Sequence, residues 1–129
     1  MSLSFKEENI NFQNIKISTF FSGIKNTCNN EDDLLLIEFD KKASIAGLFT
    51  KSLTSSASVN QCKDCLNSQK KPTVRAIVVN SGNANAFTGQ KGEKTVLEIR
   101  SFLSKKLGCN INQIYTASTG VIGEQLDSR

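Results

Sequence analysis

Residues 75–89, RAIVVNSGNANAFTG, constrain this chain more than any other stretch. Ala76, Ile77, Val78 and Val79 form a short, uncharged, largely β-branched run, the signature of a buried strand. From Asn80 onward the segment holds too few large apolar side chains to pack a core. Asn80, Asn83, Asn85, Ser81 and Gly82 instead offer amides, a hydroxyl and permissive backbone just past a strand end. Polar loops held by a rigid strand are where sites are built. An Asn-rich turn that satisfies its own amides has the same composition, and the residues leave both readings open.

At 129 residues the chain is long enough for one domain with a real core and short for two. The 16 Lys and Arg outnumber the 12 Asp and Glu, but they are dispersed, with Lys41–Lys42, Lys70–Lys71 and Lys105–Lys106 as isolated pairs. Without a basic patch, no nucleic-acid partner is expected. No run reaches the roughly 18 apolar residues of a membrane span. The opening MSLSFKEENINF lacks the basic and apolar regions of a secretory signal. A cytoplasmic location without membrane association is the expectation. Residues 1–11 are expected to be a flexible N-terminus, partly an expression scar, and residues 12–129 the folded α/β portion.

Cys62-Lys63-Asp64-Cys65 is a lone CxxC in a chain without His. A structural zinc would need Cys28 or Cys109 and an oxygen ligand besides, so no metal is expected. The two Cys are expected to cover one face of a short helix. The absence of His also excludes any Ser-His or Cys-His nucleophile within the chain. Neither GxGxxG nor GxxxxGK[ST] occurs, so no nucleotide cofactor is implied.

The patterning predicts an entry strand within residues 10–21 and a solvated loop over residues 24–33. A hairpin follows, with strands at 34–39 and 43–49 around an Asp40–Lys42 turn, both faces covered. Gly47 marks a bulge or a close backbone approach. Thr54, Ser55 and Ser56 are cap candidates for a short helix that buries Val59, Cys62, Cys65 and Leu66. After Pro72 come a strand at 74–79 and the polar loop 80–89. Residues 92–107 form the clearest helix, with Val96, Ile99, Phe102, Leu103 and Leu107 in one stripe and Gly108 at the C-cap. A last strand, 113–117, is closed by Ser118, Thr119 and Gly120. Together these elements give an α/β domain of sheet and helix layers.

The segment Ser118-Thr119-Gly120-Val121-Ile122-Gly123 puts a hydroxyl and two glycines beside a strand end. A Thr hydroxyl and a neighbouring glycine N–H make a workable donor pair for a developing oxyanion, although a TG dipeptide is also common in plain turns.

NSGNANAxTG followed about thirty residues later by STGVIG is a specific combination. With Gly23-Ile24-Lys25, DLLLIEF from Asp33, Ala46-Gly47-Leu48-Phe49-Thr50, and Ser58-Val59 with Cys62, it resembles the N-terminal portion of the ArgJ family. These are the glutamate N-acetyltransferase and ornithine acetyltransferase enzymes. The resemblance begins near Phe12 and covers nearly the whole remaining chain. Phe87 stands where the family often has Cys.

The resemblance implies a precursor that cuts itself before a threonine. The new N-terminal Thr, serving as its own base, takes acetyl from N-acetylornithine and gives it to glutamate. It implies no bound cofactor, acetyl-coenzyme A as a substrate in some members, and an oxyanion hole at Thr119 and Gly120. It also implies an oligomeric enzyme and the layered α/β sandwich of ArgJ-like and DmpA-like proteins, in which the remaining chain, carrying that Thr, is intertwined with this one. Thr50, Thr88 and Thr119 cannot present a free α-amine without a cut. Residues 1–129 are therefore expected to be an incomplete N-terminal piece, inactive alone. Two alternatives are a related self-processing amidase or aminopeptidase, and a small non-enzymatic domain that binds through residues 80–88.

Overall fold

The computed structural model describes residues 13–25 and 31–127. The expected N-terminal segment 1–11 and residues 26–30 of the expected loop lie outside the described residues. In chain order come β1 (Ile15–Phe20), β2 (Leu34–Ser44), α1 (Ala57–Asn67), β3 (Thr73–Asn83), α2 (Gly89–Leu107) and β4 (Ile114–Val121), with a 3-10 turn (Ile111–Gln113) before β4. The strands make one sheet in the order β1-β2-β3-β4. β1–β2 and β2–β3 are antiparallel and β3–β4 is parallel. Parallel neighbours need a crossover connection, and α2 supplies it.

The two-strand hairpin expected over residues 34–49 does not form. β2 runs through Asp40–Lys42, and residues 45–50 have no regular structure. The partners of β2 are β1 and β3, and the expected turn is a bulge. Between the pairs Glu38↔Ala76 and Ala43↔Val74, the residues Phe39, Asp40, Lys41 and Lys42 stand opposite Arg75 alone. Arg75 holds the bulge by donating to the Phe39 carbonyl, while the Asp40 amide donates to the Asn14 carbonyl at 2.9 Å. At Gly47 the close neighbour is the Phe49 ring, 2.9 Å from where a Cβ would stand, so the approach is by a side chain.

The helices pack against each other and against β4. Ser56 caps α1, its hydroxyl accepting from the Val59 amide at 3.4 Å. Cys62 and Cys65 share a core with Val74 and Tyr115, with Phe39, Leu66 and Ile77 packed against it. Ser58 and Gln61 complete the inner face of α1, while Val59 is only half-buried. α2 ends on Gly108 in the left-handed region (φ 59°), as its sequence implies. Its expected apolar stripe is covered unevenly: Val96 is buried, Ile99, Leu103 and Leu107 are half-buried, and Phe102 is 61% exposed. The deep positions of α2 are Gly92, Thr95, Val96 and Arg100. β2 is half-buried over Leu34–Phe39, short of the two covered faces its apolar run implies. No helix among the described residues is long and apolar enough to cross a membrane.

Ile114 is fully buried where β4 begins, paired with Ala76, and its carbonyl receives Nε of Arg100 at 3.2 Å. Ile114→Ala should leave a cavity costing about 2–5 kcal/mol, read as a lower denaturation midpoint of the intact protein at unchanged slope.

Candidate active site

The two polar segments singled out in the sequence are neighbours in the sheet. Asn80 pairs with Ser118, Ser81 with Thr119 and Gly82 with Gly120. Neither segment is the loop or turn expected: residues 80–83 belong to β3 and residues 118–121 to β4. Their pairing replaces the apolar contacts that they cannot make. At Gly120 (φ +132°) a Cβ would overlap the Gly82 carbonyl carbon and lie 2.5 Å from the Asn83 nitrogen. Only glycine allows that approach. Thr119 is exposed, and its hydroxyl has no hydrogen-bond partner among the described residues. Ser118 is half-buried, with Oγ 3.0 Å from Oγ of Ser58.

Asn80, Asn83, Asn85 and Thr88 are all buried, and each is satisfied within the chain. The Asn80 amide donates to the Asn83 carbonyl at 2.7 Å. Asn83 accepts the Asn85 backbone N–H at 2.7 Å and donates to the Glu124 carbonyl at 3.1 Å. Asn85 donates to the Gly92 carbonyl at 3.1 Å and accepts the Thr88 hydroxyl at 2.8 Å. Gly92 is covered so closely that a Cβ would overlap Thr88 Oγ1 and Asn85 Oδ1. Further bonds run from the Ala84 amide to the Val121 carbonyl at 2.8 Å and from the Gly123 amide to the Ala86 carbonyl at 2.9 Å. Of the two readings of this segment, the self-satisfied one describes the asparagines. They fasten β3, the start of α2 and the chain after β4 together.

Asp33 corrects the sequence expectation of a solvated loop, for it is only 3% exposed. One carboxylate oxygen accepts the Ser22 amide at 2.7 Å and the Ser22 hydroxyl at 2.6 Å, and the other accepts the Lys25 amide at 2.9 Å. Burial pushes this carboxyl up. The hydrogen bonds from the Ser22 hydroxyl and the amides of Lys25, Ser22 and Ile24 outweigh it and bring the pKa down to about 2. Sequence reasoning missed this residue because it closes a run of acids and asparagines. The available signal was its place directly before the apolar β2.

An open groove of about 560 Å³ lies between α2 and the sheet. Ser22, Ile24, Asn80 and Ser118 line it along with Ile99 and Leu103 of α2. On the other side of α2, Arg100 is buried, donating to the Ile111 carbonyl at 2.8 Å and to the Cys65 sulfur at 2.8 Å. Burial pushes the Cys62 and Cys65 thiols up, and the Arg100 guanidinium only partly offsets this at Cys65. These are core thiols on one helix face, as expected of the CxxC. Among the described residues no group of three or more His, Cys, Asp or Glu is placed to hold a metal ion.

Asn83→Ala removes a buried link in the asparagine network and should cost about 1–3 kcal/mol of stability in the intact protein, measured by chemical denaturation. The Asp33 pKa gives a second expectation. Because the folded value lies below the unfolded 3.8, its stabilisation is complete above about pH 4 and is lost as pH falls toward 2. Asp33→Asn should flatten that part of a melting-temperature profile while lowering the plateau above it.

The ArgJ family model matches residues 16–129. Over 114 residues the chain is 47% identical to the arginine biosynthesis bifunctional protein ArgJ of Agrobacterium fabrum, covering 88% of this chain and 26% of that protein. The Mesorhizobium japonicum protein of the same name is 44% identical over 116 residues, covering 90% of this chain and 27% of the relative. The chain thus spans about a quarter of the length of these relatives. Among solved structures, ArgJ from Bacillus halodurans is similar at a TM-score of 0.78 and 27% identity, covering 88% of this chain and 57% of that one. The ornithine acetyltransferase of Mycobacterium tuberculosis, solved with ornithine, is similar at 0.73 and 28%, covering 88% and 59%. Both likenesses support the mixed α/β fold described above. The chain belongs to the ArgJ family.

Proposed function

We propose that this chain is the N-terminal α/β portion, residues 12–129, of an acetyltransferase of arginine biosynthesis. The enzyme moves acetyl from N2-acetylornithine to glutamate, with acetyl-coenzyme A as a second donor to be tested. The nucleophile is an N-terminal Thr of the remaining chain, released by self-cleavage, and that chain completes the sandwich and the oligomer in the cytoplasm. The half-buried β2 and the partly covered stripe of α2 are consistent with a further layer. Residues 1–129 alone should turn over neither substrate.

The chemistry asks little of this segment beyond electrostatics. The free α-amine of the Thr takes the proton of its own hydroxyl, whose oxygen bonds to the acetyl carbonyl carbon. The carbonyl electron pair moves to oxygen, and negative charge develops there. Collapse of this tetrahedral species expels the ornithine amine, which leaves with the proton, and the acetyl remains as an ester. The glutamate amine attacks that ester through a second tetrahedral species, passing a proton to the Thr α-amine. Its collapse breaks the ester C–O bond, the proton returns to the Thr oxygen, and N-acetylglutamate leaves. Thr119 donates its hydroxyl to the oxyanion in both steps, and Gly120 donates its backbone N–H.

The observation that supports this assignment most is the exposed hydroxyl of Thr119, without a hydrogen-bond partner among the described residues, beside a glycine seated on Gly82. An oxyanion donor is worth about 2.7–4 kcal/mol, or roughly 10²–10³ in kcat. In the intact protein, with processing verified by mass, Thr119→Ala should lower kcat by about that factor and leave the donor KM within a few-fold. Thr119→Ser should keep much of the rate. Wild-type kcat in a folded, fully processed Thr119→Ala enzyme contradicts the assignment. Turnover of peptides in place of N2-acetylornithine would point to an amidase or aminopeptidase instead.

A further inference from the structure

We propose that Asp33 is a positioning residue for the Thr119–Gly120 site, pinning residues 22–25 onto Gly82 and holding the strand against which Thr119 and Gly120 are seated. The inference rests on the functional reading above and extends it to a residue that touches no substrate. Asp33 joins the two sides of this region at once. Its carboxylate takes the donors of Ser22 and Lys25, and its backbone carbonyl accepts the Ser81 amide at 2.8 Å. Ser81 is the register partner of Thr119. The Asp33 amide donates to the Phe20 carbonyl at 3.0 Å, so the backbone of Asp33 is fixed as well.

The pinned loop presses on the next layer. A Cβ on Gly82 would stand 2.9 Å from Lys25 Cγ, 3.0 Å from the Lys25 nitrogen and 3.1 Å from the Ile24 carbonyl carbon. Gly82 in turn leaves no room for a Cβ on Gly120. Residues 22–25, Gly82 and Gly120 therefore form three backbone layers in succession, with Asp33 holding the first. Ser22 and Ile24 also line the groove that Ser118 lines, while Thr119 and Gly120 are not among its lining residues. The other acids nearby do not substitute. Asp32 accepts from Thr19 at the surface, and Glu31 lies 4.0 Å from the Lys25 ammonium.

Asp33→Asn is close to isosteric but has one acceptor oxygen. Its NH2 must oppose either the Ser22 donors or the Lys25 amide, so one side of the loop is released. In the intact, processed protein we expect the Ser22, Lys25 and Gly82 amides to exchange at least about ten-fold faster. The kcat for acetyl transfer should fall by about 10- to 100-fold, the penalty of a displaced site, with donor KM within about three-fold. Because Asp33 acts through the oxyanion donors, Asp33→Asn should cost much less rate in a Thr119→Ala background than in wild type. A residue that merely stabilises the fold would cost the same in both. Wild-type kcat alongside accelerated exchange overturns the proposal, as does unchanged amide protection. If Asp33→Asn does not fold, Ser22→Ala, which removes one donor, should show the same changes at smaller size, and a null result there overturns the proposal equally. Should Thr119→Ala retain full activity, the oxyanion reading fails on its own. The exchange at Gly82 still judges the clamp, and acceleration confined to Ser22 and Lys25 refutes it.

Discussion

The structure depends on one close approach. Near the ends of the parallel strands, β3 and β4 come together at Gly82 and Gly120 with no room for a side chain on Gly120. That approach keeps residues 80–83 in the sheet and makes Asn80 and Asn83 part of a ladder. Buried amides cost about 1–3 kcal/mol each if left unpaired. Each of Asn80, Asn83 and Asn85 has partners, and those partners belong to three different segments. The polar composition that looks unfit for a core is what ties the strand end, the first turn of α2 and the segment after β4 into one unit.

The same device appears at Asp33. A buried carboxylate takes three donors from residues 22 and 25 and stays ionised because those donors outweigh its desolvation. Around both polar clusters the apolar packing is thinner. Ile99 and Leu103 face a groove of about 560 Å³, and Phe102 is 61% exposed. Order near Thr119 is therefore carried by directional hydrogen bonds and backbone contact more than by apolar burial. That suits the oxyanion site proposed at Thr119 and Gly120, whose chemistry would depend on where two donors point.

Local signals in the sequence read correctly where the structure answers to local rules. The β-branched run of β3, the Ser56 cap, the Gly108 C-cap and the core placement of Cys62 and Cys65 are all present. Non-local pairing was not legible. Asp40–Lys42 looks like a turn because its residues are charged, yet they fill a bulge opposite Arg75. Residues 80–83 and 118–121 look like loops because they are polar, yet each is the other's strand partner. Asp33 reads as one more acid in a solvated run, and only the fold brings Ser22 and Lys25 to it. The motifs at 80–89 and 117–124 point to the family without any knowledge of this geometry. The geometry explains why two such distant segments belong together.

The most direct measurement is a structure of the intact, processed protein with a tetrahedral acetyl mimic, such as a phosphonate or boronate, bound at the nucleophile. Its anionic oxygen should lie about 2.7–3.1 Å from both Thr119 Oγ1 and the Gly120 nitrogen, with Gly120 still seated on Gly82. An oxygen held by other donors, with the Thr119 hydroxyl turned away from it, would contradict an oxyanion role for Thr119 and Gly120.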